Sequence, residues 1–116
     1  MTKHQRLLNA QQYKYVFDHA VRSSDGFFTV LARPNNLAHA RLGLVISKKK
    51  AKLSVSRNRL KRLTRESFRH TSYLYHADFI VLAGNKSVKA TNQQLFLSLE
   101  KHWQRANKRV LEICEK

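Results

Sequence analysis

Acidic residues are scarce in this chain of 116 residues. Only seven aspartates and glutamates stand against 23 lysines and arginines, so the formal net charge is +16. Such an excess of one charge repels itself and favours an anionic partner. The balance is typical of proteins that bind nucleic acid, and less so of proteins that bind anionic membranes. It is unusual for an enzyme acting on small metabolites.

Residues that build catalytic and metal sites are also few. Cys114 is the only cysteine, which excludes an internal disulfide and a cysteine-based metal site. Among the acids, only Glu112 and Glu115 stand at helical spacing, and the six histidines form no HxxxH or HExxH pattern. Three glycines are too few for a glycine-rich phosphate loop. No motif predicts catalysis or metal binding by this chain alone.

Long apolar runs are missing as well. No stretch approaches the roughly 18 apolar residues of a membrane-spanning helix, and the N-terminal segment lacks the apolar core of a signal peptide. We therefore expect a cytoplasmic protein with no membrane partner. The length predicts a single domain over residues 1–116, with a short, irregular and flexible arm over residues 1–9.

Positive charge is concentrated between residues 48 and 69. This segment holds ten basic residues and a single acid, Glu66. Solvated helix faces usually interleave acids and bases four residues apart, which gains a few tenths of a kcal/mol per pair, and here only Glu66 can do so. A surface for an anionic partner is therefore favoured over a merely solvated face. Arginine predominates within the helical part, and its planar guanidinium suits bidentate contact with phosphate.

The same segment predicts an amphipathic helix from about Ser54 to Arg69. No glycine or proline interrupts it, and Ser54 or Ser56 is expected to cap its N-terminus. At about 100° per residue, one side of the helix holds Ser56, Leu60, Leu63, Thr64, Ser67 and Phe68. The basic residues fan over the opposite side, so one face is expected to pack on a core while the other meets solvent.

Apolar periodicity predicts the elements before this helix. A first helix is expected over residues 10–20, with Asn9 as its N-cap. Its apolar stripe holds Tyr13, Val16, Phe17 and Ala20. A turn at 23–26 precedes a strand over 27–33, and a second strand covers 39–47. The short link over 34–38 predicts that these two strands form an antiparallel hairpin.

The rest of the chain predicts one more strand and one more helix. Residues 78–83 are nearly all apolar, as in a strand buried inside a sheet. A final helix is expected over residues 92–114. Its core stripe holds Leu95, Leu99, Trp103, Ala106, Val110 and Ile113. The order helix, strand, strand, helix, strand, helix predicts an α/β chain, more closely an α+β sandwich. Its small mixed sheet should have helices on one side and a half-buried groove on the other.

One motif carries a resemblance to a known family. Arg57-Asn58-Arg59 is followed by Leu60-Lys61-Arg62, and the strand segment Gly43 to Lys49 precedes the helix. In this setting the chain resembles the protein subunit of bacterial ribonuclease P, which carries an RNR signature, and the resemblance covers nearly the whole chain. Asparagine is a poor interior helix residue, so Asn58 is expected to bond to backbone or to RNA.

The resemblance implies that the basic helix face binds the catalytic RNA. That face would consist of Arg57, Asn58, Arg59, Lys61, Arg62, Arg65 and Arg69. The resemblance also implies a left-handed crossover through the basic helix, from the strand at 39–47 to the strand at 78–83. General statistics on such connections favour the right-handed form.

The resemblance further implies a cleft for the single-stranded 5′ leader of precursor tRNA, between the first helix and the sheet. Its residues would be Tyr13, Phe17, Phe27, Thr29 and Leu31, together with Lys48, Lys49 and Lys52 at the strand-to-helix corner. Aromatic side chains that stack on bases contribute about 1–3 kcal/mol each and tolerate any sequence. The sequence leaves open the alternative that Phe17 and Phe27 are core residues.

The implied function is that of an accessory protein. It would bind the ribonuclease P RNA subunit and precursor tRNA in a 1:1 protein–RNA assembly. The RNA subunit, with Mg²⁺, would hydrolyse the phosphodiester that releases the leader. No catalytic residue, metal or cofactor is expected in the protein itself.

Two other functions remain open from the sequence. The first is a small basic protein that binds or assembles ribosomal RNA with no role in cleavage. The second is a stand-alone endonuclease, which the lack of paired carboxylates disfavours.

Overall fold

The computed structural model describes residues 5–114. It has an α+β fold of three helices and a four-stranded mixed sheet, in the strand order β1-β2-β4-β3. The elements in chain order are α1 (Ala10–Asp18), β1 (Val21–Ser24), β2 (Phe28–Pro34), β3 (Arg41–Val45), α2 (Ser54–Arg69), β4 (Ala77–Ala83) and α3 (Asn92–Cys114). Within the described residues, no helix is both long and apolar enough to cross a membrane.

The predicted hairpin between β2 and β3 is wrong, because β4 lies between them. β2 pairs with β4 in antiparallel fashion, and β3 pairs with β4 in parallel. The cause is the composition of β4, which is nearly all apolar and buried along almost its whole length. A strand that is apolar on both faces gains most from the centre of a sheet. β3, α2 and β4 thus form the predicted β-α-β unit, and its left-handed crossover stays a prediction.

Strand β1 was not predicted, because its sequence VRSS carries no alternation of apolar residues. It pairs with β2 from Val21 opposite Ala32 to Ser24 opposite Thr29. The connecting turn lies slightly later than predicted. The carboxylate of Asp25 accepts hydrogen bonds from the backbone N–H groups of Phe27 and Phe28, at 2.8 and 2.9 Å. A turn that is stabilised by such side-chain hydrogen bonds has no pattern of apolar residues from which it could be predicted.

The main core lies between one face of the sheet and helices α2 and α3. Alternate residues of β2 and β4 point into it, and the predicted core side of α2 is confirmed by buried Leu60, Leu63, Thr64 and Phe68. Trp103 packs edge-on against Phe68 and Phe79, at ring-centroid distances of 5.7 and 5.9 Å. The α3 stripe is confirmed from Leu95 to Val110, whereas Ile113 is 48% exposed.

Helix α1 covers the opposite face of the sheet only in part. Val16 is fully buried against Ile80, and Leu31 and Leu82 are partly covered beside them. The helix has nine residues and ends at Asp18, two residues before the predicted end. The predicted cap is confirmed, since Asn9 and Gln12 form a reciprocal capping box. The short helix leaves the end of this face uncovered.

The segment before α1 is fixed on the edge of the sheet. Leu7 is buried, and its N–H donates to the carbonyl of Leu42 at 3.0 Å. β3 is an edge strand whose backbone groups need partners, which Leu7 and the Tyr13 hydroxyl supply. Within the predicted irregular arm, Arg6 pairs with Leu42 at the edge of β3, and the flexibility of the arm stays a prediction. Residues 1–4 of that arm lie outside the described part of the chain.

Candidate nucleic-acid interface

The outward face of α2 carries basic groups that the protein does not neutralise. Three ion pairs occur among residues 5–114, and none involves α2. Arg62, Arg65 and Arg69 are exposed, and Lys61 is partly exposed. Asn58 is also exposed on this face. Because the carboxylates of the described residues leave these cations unpaired, the face presents a dense positive field to solvent.

Helix α2 begins without the predicted side-chain cap. Leu53 occupies the N-cap position and forms no cap bond, so the expectation for Ser54 or Ser56 is wrong. Arg57 instead fixes the chain that enters the helix. Its Nη1 donates to the carbonyls of Ala51 and Lys52, both at 2.9 Å. Arg57 therefore has a structural contact in addition to its predicted contact with RNA.

Arg59 bonds to the protein more extensively than any other predicted RNA contact. Its Nε and Nη2 donate to the side-chain oxygen of Asn92 at 3.0 and 2.8 Å. Nη2 also donates to the carbonyl of Ala90 at 2.7 Å, and Nη1 to that of Val88 at 3.3 Å. A guanidinium has five N–H donors, so one is left for an external ligand. This structural role of Arg59 leaves no signal in the sequence pattern.

A cleft of about 920 Å³ opens where α1 stops short of the sheet edge. Three of the predicted cleft residues line it, namely Phe17, Thr29 and Leu31. Phe17 is 48% exposed, which decides against a core role for this residue. Phe17, Leu31 and Leu82 form an apolar wall beside open solvent. An exposed ring on such a wall is suited to stacking on an unpaired base.

Tyr13 and Phe27 lie outside this cleft, contrary to the prediction. Tyr13 packs over Gly43, where an added Cβ would come within 2.8 Å of the ring, and its hydroxyl accepts from the N–H of Leu44. It borders a separate pocket next to Lys61 and Arg65. Phe27 precedes β2 and packs against the core on the opposite face of the sheet. The alternation of β2 does not extend back to Phe27, because the Asp25 turn interrupts the strand.

The cations of the cleft differ from those predicted. Arg22, Lys50 and Lys86 line it, whereas Lys48, Lys49 and Lys52 are exposed at the corner and do not. Arg22 was not predicted as a cleft residue because the strand on which it lies, β1, was not predicted. Lys50 belongs to the same lysine-rich corner. The chain turns over residues 47–50, and the Nζ of Lys50 donates to the side-chain oxygen of Asn85 in the lining of the cleft.

Asp25 places one negative charge at the rim of the cleft. Partial burial acts to raise the pKa of this carboxyl group, but hydrogen bonds from the Ser98 hydroxyl and the N–H groups of Phe28 and Phe27 outweigh burial and lower the pKa to about 2. Asp25 is therefore ionised at neutral pH and is held by its own turn. Asp18 also lines the cleft, so three cations stand against two carboxylates and remain in excess.

The described residues contain no group of three or more histidine, cysteine, aspartate or glutamate side chains placed to hold a metal ion. Besides Asp18 and Asp25, the side chains that line the cleft include three cations, the amide of Asn85 and the exposed ring of Phe17. Such groups bind phosphates and unpaired bases.

Comparison with known proteins gives relatives with one shared description. The ribonuclease P protein component of Pasteurella multocida is 50% identical over 101 residues, which cover 86% of this chain and 85% of the relative. That of Methylococcus capsulatus is 48% identical over 99 residues, or 84% of this chain and 77% of the relative.

Solved structures agree with these relatives. The RNase P protein of Staphylococcus aureus superimposes with a TM-score of 0.82 at 30% identity, over 88% of this chain and 94% of the other. A second structure from that organism, an RNase P protein mutant with defective mRNA degradation activity, gives a TM-score of 0.84 at 30% identity, over 90% and 89%. The RNase P protein of Thermotoga maritima gives 0.77 at 25% identity, over 86% and 96%.

The match extends across nearly the whole sequence. The family model for Ribonuclease P covers residues 1–107, from the N-terminal arm through most of α3. The helix face and the cleft both lie within that range. On the family model, on the identities and on the fold, the chain belongs to the ribonuclease P protein family.

Proposed function

We propose that this protein is the RNA-binding subunit of ribonuclease P. It binds the catalytic RNA through the outward face of α2 and the 5′ leader of precursor tRNA in the cleft. The observation that carries the proposal is the absence, within the described residues, of any carboxylate partner for Lys61, Arg62, Arg65 or Arg69. Unpaired cations on one rigid helix suit the phosphates of a folded RNA.

The chemistry of cleavage belongs, in this proposal, to the RNA subunit and Mg²⁺. The protein contributes positioning and charge neutralisation, since placing a substrate correctly removes much of the entropic cost of reaction. One protein is expected per RNA subunit, and a cytoplasmic location stays a prediction. The cleft supplies the leader site, because Phe17 offers a stacking face and Arg22, Lys50 and Lys86 offer positive charge.

Reconstitution tests the proposal. The protein is added to ribonuclease P RNA at low Mg²⁺, and cleavage of precursor tRNA is followed, together with the affinity of the assembly for precursor and mature tRNA. We expect the protein to accelerate cleavage and to raise the affinity for the precursor above that for mature tRNA. Equal affinities would favour a ribosomal RNA-binding role.

A control with protein and Mg²⁺ but no RNA subunit separates the accessory role from a stand-alone nuclease. We expect no cleavage of precursor tRNA in this control. Cleavage that persisted after repeated purification would instead place catalysis in the protein.

A further inference from the structure

The loop between β4 and α3, residues 84–91, forms one wall of the cleft. Gly84, Asn85 and Lys86 line the cleft directly. The start of the loop is bonded to the β1–β2 turn, since the N–H of Gly84 donates to the carbonyl of Phe27 at 2.8 Å and that of Lys86 to Gly26 at 3.0 Å. The position of this loop therefore sets the width of the cleft.

The basic segment before and within α2 holds the same loop at two further points. Lys50 bonds to Asn85 at the cleft side. Arg59 makes four hydrogen bonds to Val88, Ala90 and Asn92 at the far side. The cleft wall is thus fastened to the element that carries the proposed RNA-binding face.

The contacts of Arg59 are not needed to cap α3. Thr91 and Gln94 already cap that helix, because the N–H of Gln94 donates to the Thr91 hydroxyl at 3.1 Å and the N–H of Thr91 to the Gln94 side chain at 2.9 Å. A cation at a helix N-terminus also opposes the helix dipole. What the Arg59 bonds accomplish is to fix residues 88–92 relative to α2.

We propose that Arg59 is a positioning residue, which holds the cleft wall at a fixed place relative to the RNA-binding face of α2. The inference rests on the function proposed above. Arginine suits the task because its planar fork reaches two carbonyls and one amide oxygen at once, which the single ammonium group of lysine does not match. RNA bound on α2 and single-stranded RNA in the cleft thereby keep a fixed position relative to each other.

The test compares Arg59→Lys with Arg62→Ala in the reconstituted assembly, with Arg109→Lys as the control for an exposed arginine on α3. Three quantities are measured: affinity for the RNA subunit, the ratio of affinities for precursor and mature tRNA, and amide hydrogen exchange of residues 85–90 in the free protein. We expect Arg59→Lys to lower the precursor ratio by about tenfold, or 1.4 kcal/mol, and to speed exchange in the loop. Its affinity for the RNA subunit should fall less than that of Arg62→Ala, because lysine keeps the positive charge at residue 59.

Asn92→Ala gives an independent measure, because it removes two of the four bonds without changing any charge. We expect the same direction of change in loop exchange and precursor ratio, at about threefold for the ratio. Arg62→Ala should show the reverse pattern, with weaker binding of the RNA subunit and an unchanged loop.

Two results would overturn the positioning role. One is an Arg59→Lys variant that loses RNA-subunit affinity as Arg62→Ala does while its loop exchanges as in the wild type. The other is an Asn92→Ala variant with unchanged loop exchange and an unchanged precursor ratio. Failure of the proposed function is distinguishable, because a wild-type assembly would then show no preference for precursor tRNA while the exchange measurement would still report on the loop.

Discussion

The hydroxyl of Ser23 lies 2.7 Å from Nδ1 of His102, a residue 79 positions later in the chain. The contact joins the edge strand β1 to α3, and both residues are buried. Nε2 of His102 lies 3.2 Å from a carboxylate oxygen of Asp25, without the alignment of a hydrogen bond. The turn at the rim of the cleft is therefore supported from beneath by a buried polar group.

This arrangement predicts a dependence of stability on pH. Burial lowers the pKa of His102 more than the nearby negative carboxylate of Asp25 raises it. As pH falls, His102 therefore binds a proton in the unfolded chain, below about pH 6.5, before it does so in the folded protein. The stability that neutral His102 contributes is present above that pH and is lost as pH falls. The folded protein holds the pKa of Asp25 at about 2, below its ordinary value of about 4. The free energy of unfolding therefore falls a second time as pH falls below about 4.

Urea unfolding at pH 7.5, 5.5 and 3.5 measures both steps. We expect the free energy of unfolding to fall between pH 7.5 and 5.5 in the wild type, and this fall to be smaller in His102→Leu. Asp25→Asn should reduce the further fall at pH 3.5. An identical fall between pH 7.5 and 5.5 in the wild type and His102→Leu would show that other groups cause it.

Phe17 provides a prediction that separates binding from stability. Because its ring is about half exposed, Phe17→Ala should change the free energy of unfolding by no more than about 0.5 kcal/mol. It should weaken discrimination in favour of leader-bearing tRNA by the energy of one stacked base, about 1–3 kcal/mol. Binding curves for precursor and mature tRNA measure this change.

The matched variant is Phe68→Ala, which removes a buried ring of the main core. It should cost about 3–5 kcal/mol of stability. Phe17→Ala would contradict the assignment if it lowered the melting temperature as Phe68→Ala does and left leader discrimination intact.

Gly84 gives a third prediction, because the wall of the cleft passes very close to the β1–β2 turn. A Cβ on residue 84 would lie 2.5 Å from the carbonyl oxygen of Gly26. Its nearest neighbours are all backbone atoms of the β1–β2 turn, which have little room to move away. Gly84→Ala should lower stability by about 1–3 kcal/mol and reduce leader discrimination with it. Thermal unfolding and tRNA binding measure the two effects.

Gly26→Ala is the milder comparison, since the nearest atom there is on the flexible side chain of Lys86. Equal stability losses in the two variants would contradict the importance of the close backbone contact at Gly84.

The long periodic elements of the fold could be predicted from the sequence. The apolar stripes of α2 and α3 each cover several turns, so tertiary context does not alter them, and the bounds of α3 were predicted as 92–114. Short elements gave no such signal. β1 is held by pairing and by the Asp25 turn rather than by apolar residues. Strand order also escaped prediction, because it depends on competition among strands for the centre of the sheet.

The candidate sites followed the same division. The basic face of α2 was visible because it repeats with the helix, and Phe17, Thr29 and Leu31 meet as predicted. The roles of Arg59 and Lys50 were not visible, because their partners Asn92 and Asn85 stand 33 and 35 residues away. Single contacts at that distance leave no periodic trace. They become evident only when the chain is folded.

In the proposed function, the outward face of α2 binds the catalytic RNA through unpaired cations. Replacing Lys61, Arg62, Arg65 and Arg69 with glutamine removes four charges and leaves the buried side of the helix unchanged. Each phosphate contact contributes about 0.7–0.9 to the slope of log affinity against log salt, so four lost contacts should lower the slope by about 3. The control replaces Lys101, Arg105, Lys108 and Arg109 on the exposed side of α3 with glutamine.

The decisive measurement is the salt dependence of RNA-subunit binding for these two variants and the wild type, after circular dichroism has shown that all three are folded. We predict a slope lower by about 3 and a weakened assembly for the α2 variant, with a much smaller change for the α3 variant. An α2 variant that bound the RNA subunit with the wild-type affinity and the wild-type slope would contradict the proposed role of this face.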